Sequence, residues 1–242
     1  MVRYGSKIIS GLFLLFLSTT FSLLFPQRWT IELLSPFICP GAVYFQQTEQ
    51  PLIALTIDDS PDTKTTRQIL NVLAQYNVVA TFFPVSDELA KNNTIAKAFV
   101  REGHEIGNHL TEDRPSIQLK ENFASELKKA HRILSKYTTT NIRWLRPGGG
   151  WCNKEMINTS RKYDYQVVLG SVWSYDTHIP SADFAAWFIL ANTKPGSIIV
   201  LHDVGQRGTR TVTTLQKVIP KLKQKGYRFV TLTELFDNSD LD

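Results

Sequence analysis

Leu52-Ile53-Ala54-Leu55-Thr56-Ile57-Asp58-Asp59-Ser60-Pro61 is the stretch on which the fold turns. Its first six residues are apolar or β-branched and read as a buried strand. Two carboxylates and a proline then stop the pattern. Adjacent side chains at a strand end point in different directions, so one carboxylate can bind a metal while its neighbour accepts a proton. Outward from this run, short apolar segments alternate with amphipathic ones. Leu52–Ile57, Val79–Val85, His104–Asn108, Ile142–Leu145, Tyr165–Leu169, Ser197–Leu201 and Arg228–Thr231 read as strands. Between them, Leu119, Phe123, Leu127, Ala130 and Leu134, and then Val212, Leu215, Ile219 and Leu222, step by three or four and put one apolar stripe on each of two helices, the second interrupted by Pro220. This alternation predicts an α/β fold with parallel strands. Closure into an irregular (β/α) barrel of about seven strands is favoured over an open doubly wound sheet, and no glycine-rich dinucleotide fingerprint follows the first strand. In such a barrel the strand C-termini share one rim, which would bring Asp58 and Asp59, His109, Arg146 and His202 together.

The chain has 242 residues, 43% of them apolar, and a formal charge of +5. The excess falls to +3 without residues 1–25, which carry Arg3 and Lys7 and no acid. Lysines and arginines are spread over the helices, with no basic block interleaved with aromatics, so nucleic acid is not expected as a partner. Ile8–Phe25 carries no charge and is rich in Leu, Phe and Ile. With Arg3 and Lys7 upstream, it reads as an N-terminal hydrophobic helix, an uncleaved membrane anchor or a signal segment, and both readings put the remainder outside the cytoplasm. Residues 26–50, with Pro26, Pro36, Pro40 and Gly41, read as a connector that starts to pack near Phe37–Phe45, and residues 51–242 as the catalytic domain. Cys39 and Cys152 could pair in an exported protein or remain as two thiols. Asn92-Asn93-Thr94 and Asn158-Thr159-Ser160 match glycosylation sequons, which matter only in a host that glycosylates.

A catalytic zinc site needs about three protein ligands from His and carboxylate, with a position left open. Asp59, His109 and Asp113 supply such a set. His109 and Asp113 are four apart and would meet if Leu110–Glu112 made a helical turn, with Glu112 as a competing ligand.

These residues resemble the motifs of the polysaccharide deacetylase (NodB-homology) family. Leu55-Thr56-Ile57-Asp58-Asp59-Ser60-Pro61 is similar to its first motif, usually Thr-Phe-Asp-Asp-Gly-Pro. Gly103–His109 resembles the run into the second, Leu145-Arg146-Pro147 opens the third, and Leu201-His202-Asp203 resembles the last. The resemblance implies Asp58 as general base and a divalent metal, usually Zn2+, on Asp59, His109 and the position four further on, where the family usually has His and this chain has Asp113. It implies that Arg146 orients Asp58 and stabilises its charge, and that His202 is the general acid. Near Gly149, in Pro147-Gly148-Gly149-Gly150-Trp151, it implies a backbone donor for the oxyanion, and Trp151 offers a flat face to a sugar. The fourth motif departs most. Asp176 is the nearest substitute for the acid that tunes the histidine, while Asp203 is expected to point away and His131 and His178 to be solvated. The activity implied is removal of N- or O-linked acetyl groups from a polysaccharide such as a chitin-like or cell-wall N-acetylglucosamine polymer. A non-catalytic glycan-binding domain and a deformylase or small-amide hydrolase are the alternatives.

Overall fold

The computed structural model describes residues 28–119 and 122–237. In chain order its elements are α1 (Arg28–Ile38), β1 (Leu52–Asp58), α2 (Thr65–Tyr76), β2 (Thr81–Phe83), α3 (Ser86–Lys91), α4 (Asn93–Arg101), β3 (Glu105–Ile106), α5 (Phe123–Leu134), β4 (Trp144–Leu145), α6 (Lys154–Lys162), β5 (Gln166–Val167), β6 (Val172–Trp173), α7 (Ala182–Asn192), β7 (Ile198–His202), α8 (Gly205–Gln224), β8 (Arg228–Val230) and α9 (Leu232–Asp237).

β1 is buried along its whole length, and the period of two along a strand sends its side chains into two different cores. Ile53, Leu55 and Ile57 face the helices, where the stripes of α5 and α8 end on Leu127, Leu134, Leu215 and Leu222. Leu52 and Ala54 face a smaller inner core with Phe83, Trp144, Val168, Ile198 and Val230. Thr56 and Asp58 continue that inner face toward the strand end, so the last inward side chain of the most buried strand is a carboxylate. β1 pairs in parallel with β2 and β7 along its upper part and with β8 along its lower part.

The strands do not close into the expected barrel. A six-stranded sheet runs β3-β2-β1-β7-β6 with β8 on β1, and β4 and β5 form a separate pair joined to the β3 end by the bridge Asn108↔Leu145. Between β5 and β6 there are only four residues and no helix. There Gly170 takes φ +118°, and a Cβ on it would meet Val200 at 2.6 Å, so glycine lets the chain turn closely against β7 before β6 pairs with it. The two-residue β6 was not foreseen because it has too few residues to show a period.

Two further expectations change. The stretch read as a connector holds the helix α1, whose Phe37 is 84% exposed while Cys39 and Tyr44 are buried. The hydrophobic run Ile8–Phe25 lies outside the described residues; among those described, no helix is long and apolar enough to cross a membrane. The helix α8 continues through Pro220 as one 20-residue element packed on α2 and α7.

Cys39 and Cys152 form a disulfide that closes a separation of 113 residues and ties the end of α1 to the loop after β4. A cross-link over so long a loop removes much entropy from the unfolded chain. Replacing both cysteines by serine is expected to lower unfolding free energy by about 2–4 kcal/mol in urea titrations; unchanged stability would mean the staple constrains little of the unfolded ensemble.

Candidate active site

The register of β1 with β7 sets Asp58 directly beside His202. In-register parallel neighbours project to the same face, so both side chains enter one cleft of about 660 Å3 at the strand C-termini. Arg146, at the end of β4, reaches across the inner core to donate from Nη1 to Asp58 Oδ1 and to Thr56 Oγ1, both at 2.7 Å, and from Nε to the Val168 carbonyl. Its guanidinium also lies 4.3 Å from the Phe83 ring centre. Asp58 and Arg146 are almost wholly buried, and each is the other's charge compensation.

Asp59 leaves this line. Its φ of +68° is unfavourable for a residue with a Cβ, and it turns the carboxylate sideways toward His109. Leu110, just after His109, and Tyr175, just before Asp176, also take positive φ, at +65° and +55°. Left-handed backbone at non-glycine residues thus sits at or beside three groups of the cleft, where packing holds a conformation the isolated chain avoids. After the left-handed Leu110, residues 111–114 form a bend and not the expected helical turn. Asp59, His109 and Asp113 nevertheless each present a ligand atom within 4.8 Å of the other two. Glu112, the competing ligand, is exposed and pairs with Arg114 instead.

These three residues fit a divalent cation on chemical grounds. His109 Nδ1 donates to the Arg146 carbonyl at 2.7 Å, which leaves Nε2 as the lone-pair nitrogen facing Asp59 Oδ1 at 3.3 Å. Burial lowers the His109 pKa, yet the hydrogen bond that a protonated Nε2 gives to Asp59, with the charges of Asp58 and Asp59, outweighs it and leaves it raised. Asp59 moves the other way: burial raises it, and His109, His202 and Arg207 bring it below the usual carboxylate range. Both shifts express one demand of the site, which is for positive charge between the carboxylates.

Beside Asp58, on the end of β7, His202 Nδ1 lies 3.0 Å from Asp176 Oδ1, and Asp176 Oδ2 accepts from the His202 backbone N–H at 3.0 Å. Burial pulls the imidazole down, but Asp176, followed by the charges of Asp58 and Asp59, raises it to about 9. Asp176 therefore stands where the acid partner was expected. Asp203 points away from the cleft as anticipated, fully buried, with the hydroxyls of Thr65 and Thr66 donating to its two oxygens. Burial raises its pKa to about 7 against those hydrogen bonds. His178 is exposed at the cleft edge, and His131 is exposed but contacts the Tyr165 hydroxyl through Nδ1 at 2.6 Å.

The loop after β4 lines the cleft with Gly149 and Trp151. A Cβ on Gly148 would come within 2.1 Å of the Arg114 carbonyl, and Gly149 has φ +67°, so this turn needs glycine to lie against residues 114–116. Trp151 is 55% exposed at the rim.

The family model for polysaccharide deacetylase matches residues 45–168. A peptidoglycan-N-acetylglucosamine deacetylase of Bacillus cereus is 35% identical over 77% of this chain and 88% of its own length. The chain belongs to the polysaccharide deacetylase family. Among solved structures, the Bc1960 peptidoglycan N-acetylglucosamine deacetylase superposes with a TM-score of 0.76 at 32% identity, covering 81% of this chain and 92% of that one. A family 4 acetyl xylan esterase from Clostridium thermocellum in complex with a cobalt ion gives 0.69 at 33% identity, over 77% and 90%. A Bacillus anthracis protein described as a CE4 family pseudoenzyme gives 0.74 at 25% identity, over 82% and 69%.

In this family member one charged residue of the cleft escaped the sequence reading. Arg207, in the first turn of α8, places Nη1 3.3 Å from Asp59 Oδ2 and Nη2 4.0 Å from Asp113 Oδ2. It is 148 residues from Asp59 in the chain, so spacing could not reveal it. Counting charge could have: Asp58, Asp59 and Asp113 need more compensation than Arg146 alone supplies. Asp59 is held by its backbone and His109, so removing Arg207 costs little orientation and mainly removes a competing cation. Arg207→Ala is expected to tighten Zn2+ or Co2+ binding about tenfold, corresponding to about 1.4 kcal/mol of charge interaction. It should also lower the melting temperature of the metal-free protein by about 2–4 °C. Titration calorimetry and thermal unfolding read both, and equal or weaker ion binding would contradict the charge-sharing role.

Proposed function

We propose that this protein is a metal-dependent hydrolase that removes acetyl groups from a cell-wall or chitin-like N-acetylglucosamine polymer outside the cytoplasm, held to the membrane through residues 8–25. The observation that carries this reading is the placing of two complementary groups side by side in one cleft. Asp58, charge-compensated by Arg146, ends β1, and His202, held protonated by Asp176, ends β7 beside it, with Asp59, His109 and Asp113 next to them. The peptidoglycan deacetylase activity of the Bacillus cereus relative supports the substrate class.

A divalent ion on Asp59, His109 and Asp113, Zn2+ being our assignment, would supply a Lewis acid for the acetyl carbonyl and charge for the oxyanion. The remaining work falls to the protein. Asp58 Oδ2, the oxygen not taken by Arg146, accepts a proton from the attacking water. Arg146 keeps that carboxylate aimed and lies against it as a counter-charge. His202 Nε2 is free toward the cleft because Nδ1 is engaged by Asp176, and it gives its proton to the departing amine or alcohol as acetate leaves. The loop at Gly149 offers a backbone N–H to the oxyanion, and Trp151 an apolar face to a sugar ring.

Asp58→Asn keeps the shape but not the basicity, so acetate release from acetylated glucosamine oligomers, peptidoglycan or acetylated xylan should fall about 10²–10⁴-fold. Ion binding by equilibrium dialysis should persist. Wild-type rates would remove Asp58 from the chemistry. The pH dependence tests the acid. His202 must be protonated to act, so kcat/KM should fall as pH rises through about 9. In Asp176→Asn that limb should move down toward the ordinary imidazole value of about 6.5, and an unmoved limb would detach Asp176 from the reaction.

The altered second, third and fourth motifs and the pseudoenzyme neighbour favour a second reading, a glycan-binding domain without turnover. A binding cleft has little use for a base with its own guanidinium and an imidazole kept charged by a buried acid. Tight glycan binding with no acetate released under any divalent ion would support that second reading.

A further inference from the structure

We infer that the outer face of α1 lies on a lipid bilayer and seats the mouth of the catalytic cleft at the membrane surface. Trp29, Leu33 and Phe37 are four apart, and Leu34 and Ile38 form a second column beside them, so all five share one face of the helix. Their exposures are 60%, 61%, 84%, 44% and 49% respectively. Nine large apolar side chains are exposed among the described residues, and five of them belong to this one helix of 11 residues. A water-facing helix would present its polar side outward; α1 turns five large apolar side chains outward, with the exposed Glu32 at their edge accepting from Gln47.

The helix is bolted in this orientation at both ends. Arg28 donates from Nη2 to the Pro195 carbonyl and lies 4.6 Å from the Phe45 ring centre. Thr30 and Ile31 are buried beneath it, and Cys39, immediately after it, is in the disulfide to Cys152. The apolar face therefore cannot roll inward without breaking the attachments that hold the helix.

Lipid is the occupant because of the chain that precedes α1. Ile8–Phe25 carries no charge over 18 residues, about the minimum for crossing a bilayer, and ends three residues before Arg28. Such a segment would deliver α1 to the interfacial zone, where Trp is enriched. At 1.5 Å per residue α1 is about 16 Å long, too short to span, so it would lie in the plane of the interface with its apolar face down. Folding Ile8–Phe25 back over α1 would leave most of an all-round apolar segment in water, whereas a bilayer covers both. The only cation of α1, Arg28, is turned into the domain, so the contact is apolar and should not depend on anionic lipid or salt.

The consequence reaches the cleft, since Ile38 lines it and the disulfide joins the next residue to the one after Trp151. The substrate is then a glycan presented close to the membrane. The inference rests on the reading of Ile8–Phe25 as a membrane segment and not on the assignment of catalytic roles.

The test reconstitutes the full chain in phosphatidylcholine vesicles with or without lipid brominated near the headgroup. Quenching of the wild type is compared with that of Trp29→Phe, which isolates Trp29 from the other tryptophans. The expected result is bromolipid quenching of the wild type that is largely lost in Trp29→Phe, at low and high salt alike. A Leu33→Asn/Phe37→Asn variant should stay vesicle-bound and melt as the wild type, because both side chains are exposed, yet show weaker quenching of Trp29. Equal quenching of wild type and Trp29→Phe in protein that floats with the vesicles overturns the seating of α1 and leaves the anchor standing. Trp29 shielded from acrylamide but unaffected by bromolipid overturns it in favour of a second copy or the chain's own N-terminal segment. Protein that does not float with vesicles overturns the anchor and this inference together.

Discussion

The interaction on which the cleft depends is the buried pair of Arg146 and Asp58. Moving two charges out of water is expensive, and only close geometry with further hydrogen bonds repays it. Here Asp58 Oδ1 and Thr56 Oγ1 converge on one guanidinium nitrogen, the Val168 carbonyl takes Nε, and the Phe83 ring lies against the cation. The pair links β1 to β4, which no hydrogen-bonded ladder connects. It thereby ties the large sheet to the small one across the inner core.

Around that pair the site alternates in charge. Asp58 has Arg146, Asp59 has His109 and Arg207, and His202 has Asp176. Asp58, Asp59 and Asp176 are each buried beside a cation, and His109 and His202 each beside a carboxylate; at Asp59, His109, Asp176 and His202 the neighbouring charges and hydrogen bonds together reverse the shift that burial alone would give. The family membership of the chain and this arrangement agree in direction. The departure at Asp113 adds a negative charge, which is where Arg207 is found. There it shares the negative charge that a bound cation would otherwise compensate alone.

Residues outside the barrel-like core also shape the cleft. The disulfide pins the loop of Gly148–Trp151 to the end of α1, and Ile38 and Tyr44 form part of the cleft wall. A segment that reads as a connector is thus part of the substrate's surroundings. Proline-rich composition hid the helix because propensity gives Pro36 a penalty that tertiary contacts at Thr30, Ile31 and Cys39 override.

Seven of the eight strands and their alternation with helices, the buried β1, and the convergence of Asp58, Asp59, His109, Arg146 and His202 were legible in the chain itself. Each sits at the end of an apolar run, and hydrophobic period and strand termini are local properties. Asp113 was legible as a candidate beside His109, but for the wrong local reason: a helical turn was expected, and a left-handed Leu110 followed by a bend brings it round. Only the tertiary structure decided what depends on contacts between distant segments. The Asp58↔His202 register, the tie of Asp176 to His202, the close approach of Gly170 to Val200, and the approach of Arg207 to Asp59 and Asp113 all join residues remote in sequence. No period or propensity encodes such pairings, because they arise only when packing of the two cores brings those segments together.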